Sequence, residues 1–235
     1  CWLERYGRRV INGSAALDLE LSKLRQYQAL LHHNLRVPLT GAARDPSQLL
    51  GLARAMPGPF ITKHNRAGMG LGVKMFEDFD TFEAQQDGMD TDEPVDGVTL
   101  IQQYIDSPDP FITRCEFIGG SFVYAVRVDT SQGFQLCPAD ACTVEDRLEP
   151  AGSDQRPLFE IIPAYSDPIL SEYEAFLSAQ SIDVAGIEFI TDHSGQKWTY
   201  DVNVNTNYNS EAEDRAGVDA RACLARFLQR ELAHC

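Results

Sequence analysis

Positive charge is scarce in this chain. It carries 20 lysines and arginines against 35 aspartates and glutamates, a formal charge of −15 over 235 residues. Such a field repels phosphate backbones and anionic lipid surfaces over a Debye length, so nucleic acid and membrane are poor principal partners. Any oligophosphate ligand must be met by cations gathered at one place. Long apolar runs are lacking too, with nothing near the roughly 20 residues that cross a bilayer, so a soluble protein is expected. Cysteines stand at positions 1, 115, 137, 142, 223 and 235 without Cys-x-x-Cys spacing or a regular disulfide framework. They read as reduced thiols in a cytoplasm, and Cys137 and Cys142 as ordinary buried or loop thiols, with a redox or metal pair as the alternative. Repeats and low-complexity tracts are missing. Cys1 stands where a methionine would, with no signal-peptide pattern, and the chain is expected to be part of a longer protein.

What is present is an ordinary globular composition, 43% apolar and 23% charged, long enough for one large domain or two small lobes sharing a cleft. The spacing of Leu24, Tyr27, Leu30 and Leu31 predicts a helix with Ser22 as N-cap that ends before Pro38. Residues 59–65 read as a buried strand that runs through a glycine-rich turn into a second strand at 73–76. A short helix is expected over 80–86, then an acidic, solvated connector over 87–97. Residues 98–105 read as a strand leaving a core, and 112–130 as a hairpin turning at Gly119 and Gly120. A helix over 166–180, strands over 183–190 and 197–204, and a closing helix over 211–235 complete the pattern. Antiparallel hairpins outnumber strand–helix alternations, which predicts an α+β fold. Two lobes, residues 1–104 and 105–235, are expected to meet near Gln102–Asp109.

Two groups of residues could carry chemistry. Lys63 lies among apolar strand residues, five positions before Gly68 and followed by Gly70 and Gly72. Glycines let a backbone approach phosphates closely, and a lysine ammonium supplies the point charge an oligophosphate needs. The loop joins two strands with no helix directly after the glycines, so it is neither a Walker A loop nor a dinucleotide fingerprint. A flexible hairpin beside a surface lysine is the plainer account. In the second group, alternation puts Asp201 and Asn203 on one strand face, and Glu188 can lie opposite them across a hairpin. Two carboxylates and a carboxamide oxygen are hard ligands suited to magnesium. A simply wet strand face would give the same pattern. Arg114 and Arg127, on opposite arms of the Gly119-Gly120 hairpin, could grip a carboxylate or phosphoryl group. His32, His33 and His64 are given no ligand role.

In this order the segments resemble the ATP-grasp superfamily and, within it, the RimK-like glutamate ligases. Residues 22–41 look like the family's lysine-bearing helix and its exit, and 59–73 are similar to its second lysine and phosphate-covering glycine loop. Residues 100–105 resemble the interlobe strand that holds adenine; 185–190 and 200–207 look like the two magnesium-ligand strands. The resemblance implies an ATP-grasp fold of two lobes around a nucleotide cleft. It implies that Lys23 and Lys63 contact ATP phosphates, with Gly68, Gly70 and Gly72 closing over them. It implies that Gln102, Gln103, Tyr104 and Ile105 hold adenine and that Asp106 or Asp109 reaches ribose. Glu188, Asp201 and Asn203 would bind magnesium, or manganese in its place, and Arg114 would stabilise phosphoryl and acyl-phosphate charge. The implied activity joins the carboxylate of an amino acid or other acid to an amine borne by a small molecule, peptide or protein. Homo-oligomerisation is left open.

The chain departs from the family pattern in several places. The usual Asn-x-Ser-Pro-Gly ending is here residues 203–209, NVNTNYN, and a basic segment after the arginine hairpin is replaced by FQLCPADAC over 134–142. The preceding N-terminal domain is expected but absent, and Asp201 replaces the more usual glutamate. These departures keep two other readings in view: a nucleotide-binding regulator that performs no ligation, and a small-molecule kinase.

Overall fold

A computed structural model describes residues 2–66, 68, 72–85, 94–131 and 157–233. Gly70, most of the acidic connector and the FQLCPADAC segment lie outside these residues. Within them are two antiparallel sheets flanked by helices, the α+β class expected. Strands β1 (Thr40–Ala43), β2 (Phe60–His64), β3 (Lys74–Phe76) and β4 (Thr99–Gln103) form a four-stranded sheet in the order β1-β4-β2-β3. Strands β5 (Phe111–Ile118), β6 (Ser121–Asp129), β7 (Phe159–Ile162), β8 (Val184–Thr191) and β9 (Lys197–Asn203) form a five-stranded sheet in the order β7-β6-β5-β8-β9. The helices are α1 (Trp2–Arg5), α2 (Ser14–Glu20), α3 (Lys23–His32), α4 (Pro46–Arg54), α5 (Phe79–Gln85), α6 (Ile169–Ala179), α7 (Ser210–Ala216) and α8 (Ala220–Ala233). None is long and apolar enough to cross a membrane, among the described residues.

The smaller sheet is held by α4 and α5 through Phe60, Phe76 and Phe82, whose ring centroids lie 5.0 to 5.6 Å apart. Contacts of this kind add to area burial. In the larger sheet, one face packs Phe117, Ile187 and Phe189 against α6 and α3. On the other face, Val126 and Val128 cluster with residues of α7 and α8. Although α3 precedes the smaller sheet in the chain, its Tyr27 and Leu30 are buried in the core of the larger one. Thus Lys23, at the start of α3, is fixed relative to β9.

The packing of α3 differs from the expected leucine stripe. Ser22 caps it by accepting from Arg25 N, as its sequence position suggested. Leu31, however, is 57% exposed, while Gln26 is buried. The Gln26 carboxamide donates to Val202 O (2.9 Å) and accepts from Val202 N (3.0 Å), so it takes up backbone groups that edge strand β9 would leave open. The closing helix is divided at Gly217, whose φ of 68° is left-handed and whose N–H, like that of Val218, turns back to α7. The elements α1, α2, α4, β1 and β7 add to those read from the sequence.

Candidate active site

A cleft of about 840 Å³ opens between the two sheets. Register across the larger sheet builds one of its walls. Asp201 of β9 pairs with Glu188 of β8, Glu188 with Arg114 of β5, and Arg114 with Val126 of β6. Residues directly opposite on neighbouring strands share a face about 5 Å apart, so two carboxylates and a guanidinium stand in a row. The adjacent row joins Asn203, Gly186, Glu116 and Tyr124. The expected convergence of Glu188, Asp201 and Asn203 is present, with Asn203 Nδ2 3.4 Å from Glu188 Oε1. A bulge between Glu188 and Phe189 brings in Tyr200 as well, whose hydroxyl donates to Glu188 Oε2 at 2.8 Å.

Arg114 is the hub of this wall. It donates to Glu116 (2.5 Å), Glu188 (2.7 Å) and Thr206 Oγ1 (2.5 Å). Thr206 in turn donates to Glu116 at 2.8 Å. Burial works against the charged guanidinium, but Glu116 and Glu188 outweigh it and hold its pKa above the ordinary value. Burial raises the pKa of Glu116, against the pull of Arg114 and Thr206. Gly186 makes room for this arrangement: a Cβ there would sit 2.6 Å from Arg114 Cζ. Arg127 belongs to the opposite face, where it pairs with Thr113, lies over the Phe111 ring and approaches Glu160 at 3.7 Å. The two hairpin arginines therefore do not converge.

Two lysines enter from other elements. Lys23 Nζ lies 2.7 Å from Asp201 Oδ1. Burial disfavours ionised Asp201, but Lys23 overcomes this and its pKa lies below the ordinary range. Lys63, on β2, is buried, and its ammonium meets Tyr27 Oη at 2.6 Å and Gln102 Oε1 at 2.8 Å. Both partners are uncharged, so burial pushes its pKa down to about 7, with Lys23 adding to the effect. Asn65, two residues along, ties the lysines together: its carbonyl accepts from Lys23 N at 3.1 Å and its Oδ1 from Leu24 N at 2.9 Å.

The remaining expected residues differ in how they meet the cleft, and Asp106 and Gly72 are not among its lining residues. Gly68 borders it, and Gly72 faces the His64 ring with a φ of 72°. Gln102, Gln103, Tyr104, Ile105 and Asp109 are wall residues. The Gln102 side chain turns inward to Lys63 and donates to Thr40 Oγ1 at 2.7 Å. Asp106 is exposed and pairs with His193 at 3.1 Å. Glu116, Thr206 and Gly186 were not singled out in the sequence, and Tyr27 was read only as part of a helix face. Only the even spacing of Arg114, Glu116 and their strand neighbours hinted at the first.

Known proteins share the fold and part of the sequence. The sequence profile of the RimK-like ATP-grasp domain matches residues 21–135. Those residues, just under half of the chain, thus resemble an ATP-grasp domain of the RimK-like kind. It is 24% identical over 197 residues to a probable alpha-L-glutamate ligase 2 of Pseudoalteromonas atlantica, spanning 77% of this chain and 64% of that protein. Solved ATP-grasp structures share the fold. The ligase PsnB, complexed with a phosphomimetic variant of its minimal precursor, Mg and ADP, superposes with a TM-score of 0.66 at 17% identity, covering 97% of this chain and 64% of that one. The D-alanine–D-alanine ligase of Bacillus anthracis does so with a TM-score of 0.66 at 16% identity, covering 99% and 74%.

The ATP-grasp donor set can be tested against its ligands from the residues themselves. Lys63 is a buried cation held by neutral oxygens, which suits an anion arriving in the cleft. Glu188, Asp201 and Asn203 offer hard oxygen donors on adjacent strands, as magnesium requires. Among the described residues no three His, Cys, Asp or Glu side chains cluster as a metal cage.

Proposed function

We propose that this chain is the nucleotide-binding and catalytic part of an ATP-dependent carboxylate–amine ligase working through an acyl phosphate. The observation that carries this reading is Lys63, a buried ammonium whose hydrogen-bond partners among the described residues are neutral, in a cleft that also holds the Asp201–Glu188 pair. Lys23 and Lys63 would contact the phosphates of ATP, with the loop of Gly68, Gly70 and Gly72 above them. Gln102 to Ile105 would border adenine, and Asp106 or Asp109 would reach ribose. Glu188, Asp201 and Asn203 would hold magnesium, which when bound neutralises phosphate charge as a Lewis acid. Residues 1–104 and 105–235 would act as the two lobes, except that α2 and α3 pack in the core of the larger sheet and would belong with the second.

The chemistry divides into two steps. A substrate carboxylate oxygen attacks the γ-phosphorus; the new P–O bond forms as the bond to the β-phosphate's bridging oxygen breaks, and ADP leaves with the electron pair. Arg114 and Lys63 meet the charge that builds on the transferring oxygens. An amine nitrogen then attacks the acyl carbon, phosphate departs with the C–O pair, and the nitrogen releases its proton. Water competes for the same carbon, so closure over the cleft protects the intermediate. ADP and phosphate release that requires both a carboxylate and an amine tests this reading, and turnover indifferent to either would overturn it.

One observation favours a second reading. Asp201 and Glu188 are already neutralised by Lys23 and Arg114, each at 2.7 Å, an arrangement that suits a nucleotide-binding regulator as well. ATP binding without turnover on any carboxylate and amine supports that alternative.

A further inference from the structure

The charged row on the larger sheet stops at β5. On its far side, β6 and β7 present Val126, Val128 and Phe159 to the cleft, joined by Ile112 of β5. Val128 stands between Ile112 and Phe159 in register, and Val126 stands beside Arg114. A substrate whose carboxylate reacts beside Arg114 therefore has its next group about one strand spacing away, on an apolar wall.

Charge leads to the same place. Lys23, Lys63 and Arg114 are the lysines and arginines among the described lining residues, against Glu20, Asp109, Glu116, Glu188 and Asp201. Lys23 and Arg114 are held by acids, and in the proposed reaction all three cations serve phosphate or acyl charge. A second carboxylate on the substrate would lie between apolar side chains and Glu116, and burying an unpaired anion there is costly. One polar group on this wall is uncommitted: the Tyr208 hydroxyl is buried and without a hydrogen-bond partner among the described residues. It could serve the main-chain amide or amine of a substrate.

We propose that the β6–β7 half of the cleft seats the side chain of the activated acid, and that this acid is an amino acid or peptide end with an uncharged aliphatic or aromatic side chain. Glutamate, named for the relatives, is disfavoured there. The inference rests on the ligase reading and adds the substrate class to it.

Hydroxylamine tests both and keeps them apart. It attacks the acyl carbon of an acyl phosphate, releasing phosphate and leaving a hydroxamate, so the natural amine need not be known. Leucine, phenylalanine and glutamate are supplied with Mg·ATP, free and as the last residue of a short peptide. Leucine or phenylalanine should give a kcat/KM for hydroxamate at least about tenfold above glutamate. Glutamate equal or better overturns the subsite while leaving the ligase reading intact; no hydroxamate from any of them overturns both. Val128→Lys should raise use of glutamate and lower use of leucine. Should that variant not fold, Val128→Thr should lower the leucine to glutamate ratio, and a ratio unchanged in the folded variant counts against the subsite.

Discussion

Lys23 Nζ rests 2.7 Å from Asp201 Oδ1, so a cation assigned to phosphate is salt-bridged to a carboxylate assigned to metal. Binding both ligands then becomes an exchange of partners. On the proposed reading, metal would replace ammonium on Asp201, and phosphate would replace Asp201 on Lys23.

Magnesium and ATP should accordingly bind with positive coupling. Calorimetry should find Mg²⁺ alone weak and at least about tenfold tighter when ATP is present. Lys23→Met should weaken Mg·ATP yet strengthen Mg²⁺ alone. Equal Mg²⁺ affinity in wild type and variant would contradict the exchange.

Lys63 should set a pH dependence. Its pKa falls from the ordinary 10.5 to about 7 on folding, so between these values the unfolded chain binds the extra proton. Stability then rises with pH across that window, and the cost of the buried charge is fully present below about 7. Denaturant midpoints measured from pH 7 to 10 should rise more steeply in wild type than in Lys63→Met. At pH 8, Mg·ATP binding should take up protons, visible as a dependence of the binding heat on the buffer's ionisation enthalpy.

Asp201→Ala or Lys63→Ala should lower turnover at least about a hundredfold with the fold retained, the scale for losing preorganised charge at a reacting phosphate. Purified variants with unchanged circular dichroism and wild-type rates would remove these residues from the mechanism.

Gly186→Ala should act through Arg114. The added methyl occupies guanidinium space, so the side chain must leave its position between Glu116 and Glu188. A loss of about 1–3 kcal/mol in stability is expected for such overpacking. The diagnostic is a fall in kcat of roughly tenfold or more with little change in ATP affinity.

Asn12 should matter for stability alone. Its carboxamide donates to Val184 O and Val204 O and accepts from Asp183 N and Val184 N, bridging the start of β8 to the exit of β9. Asn12→Ala should cost about 2–4 kcal/mol, read from urea unfolding, because the groups left unpaired are partly buried. ADP release per folded molecule should stay at the wild-type level.

Much of the site could be read from local pattern. Period-two alternation placed Asp201 and Asn203 on one face and Glu188 across from them, because a strand reports its own orientation. The Lys63 strand and its glycine turn were legible for the same reason. Other parts depend on long-range register, which one sequence does not display. Gln26 is buried because it faces the open backbone of β9, 176 positions away. Glu116 reads as an exposed strand residue until Arg114 and Thr206 close around it. The strand β1, TGAA, has too little apolar contrast to show a period, and the split between α7 and α8 rests on one left-handed glycine.

The boundary between the charged and apolar halves of the larger sheet falls between two adjacent strands. Within this sheet, groups proposed for phosphate transfer sit on β5, β8 and β9, whereas those proposed to judge the incoming acid sit on β6 and β7 with Ile112 of β5 beside them. Reactivity and taste are thereby separable inheritances. A lineage, or a protein engineer, could rewrite the menu of accepted acids by editing two neighbouring strands, without disturbing the reactive chemistry.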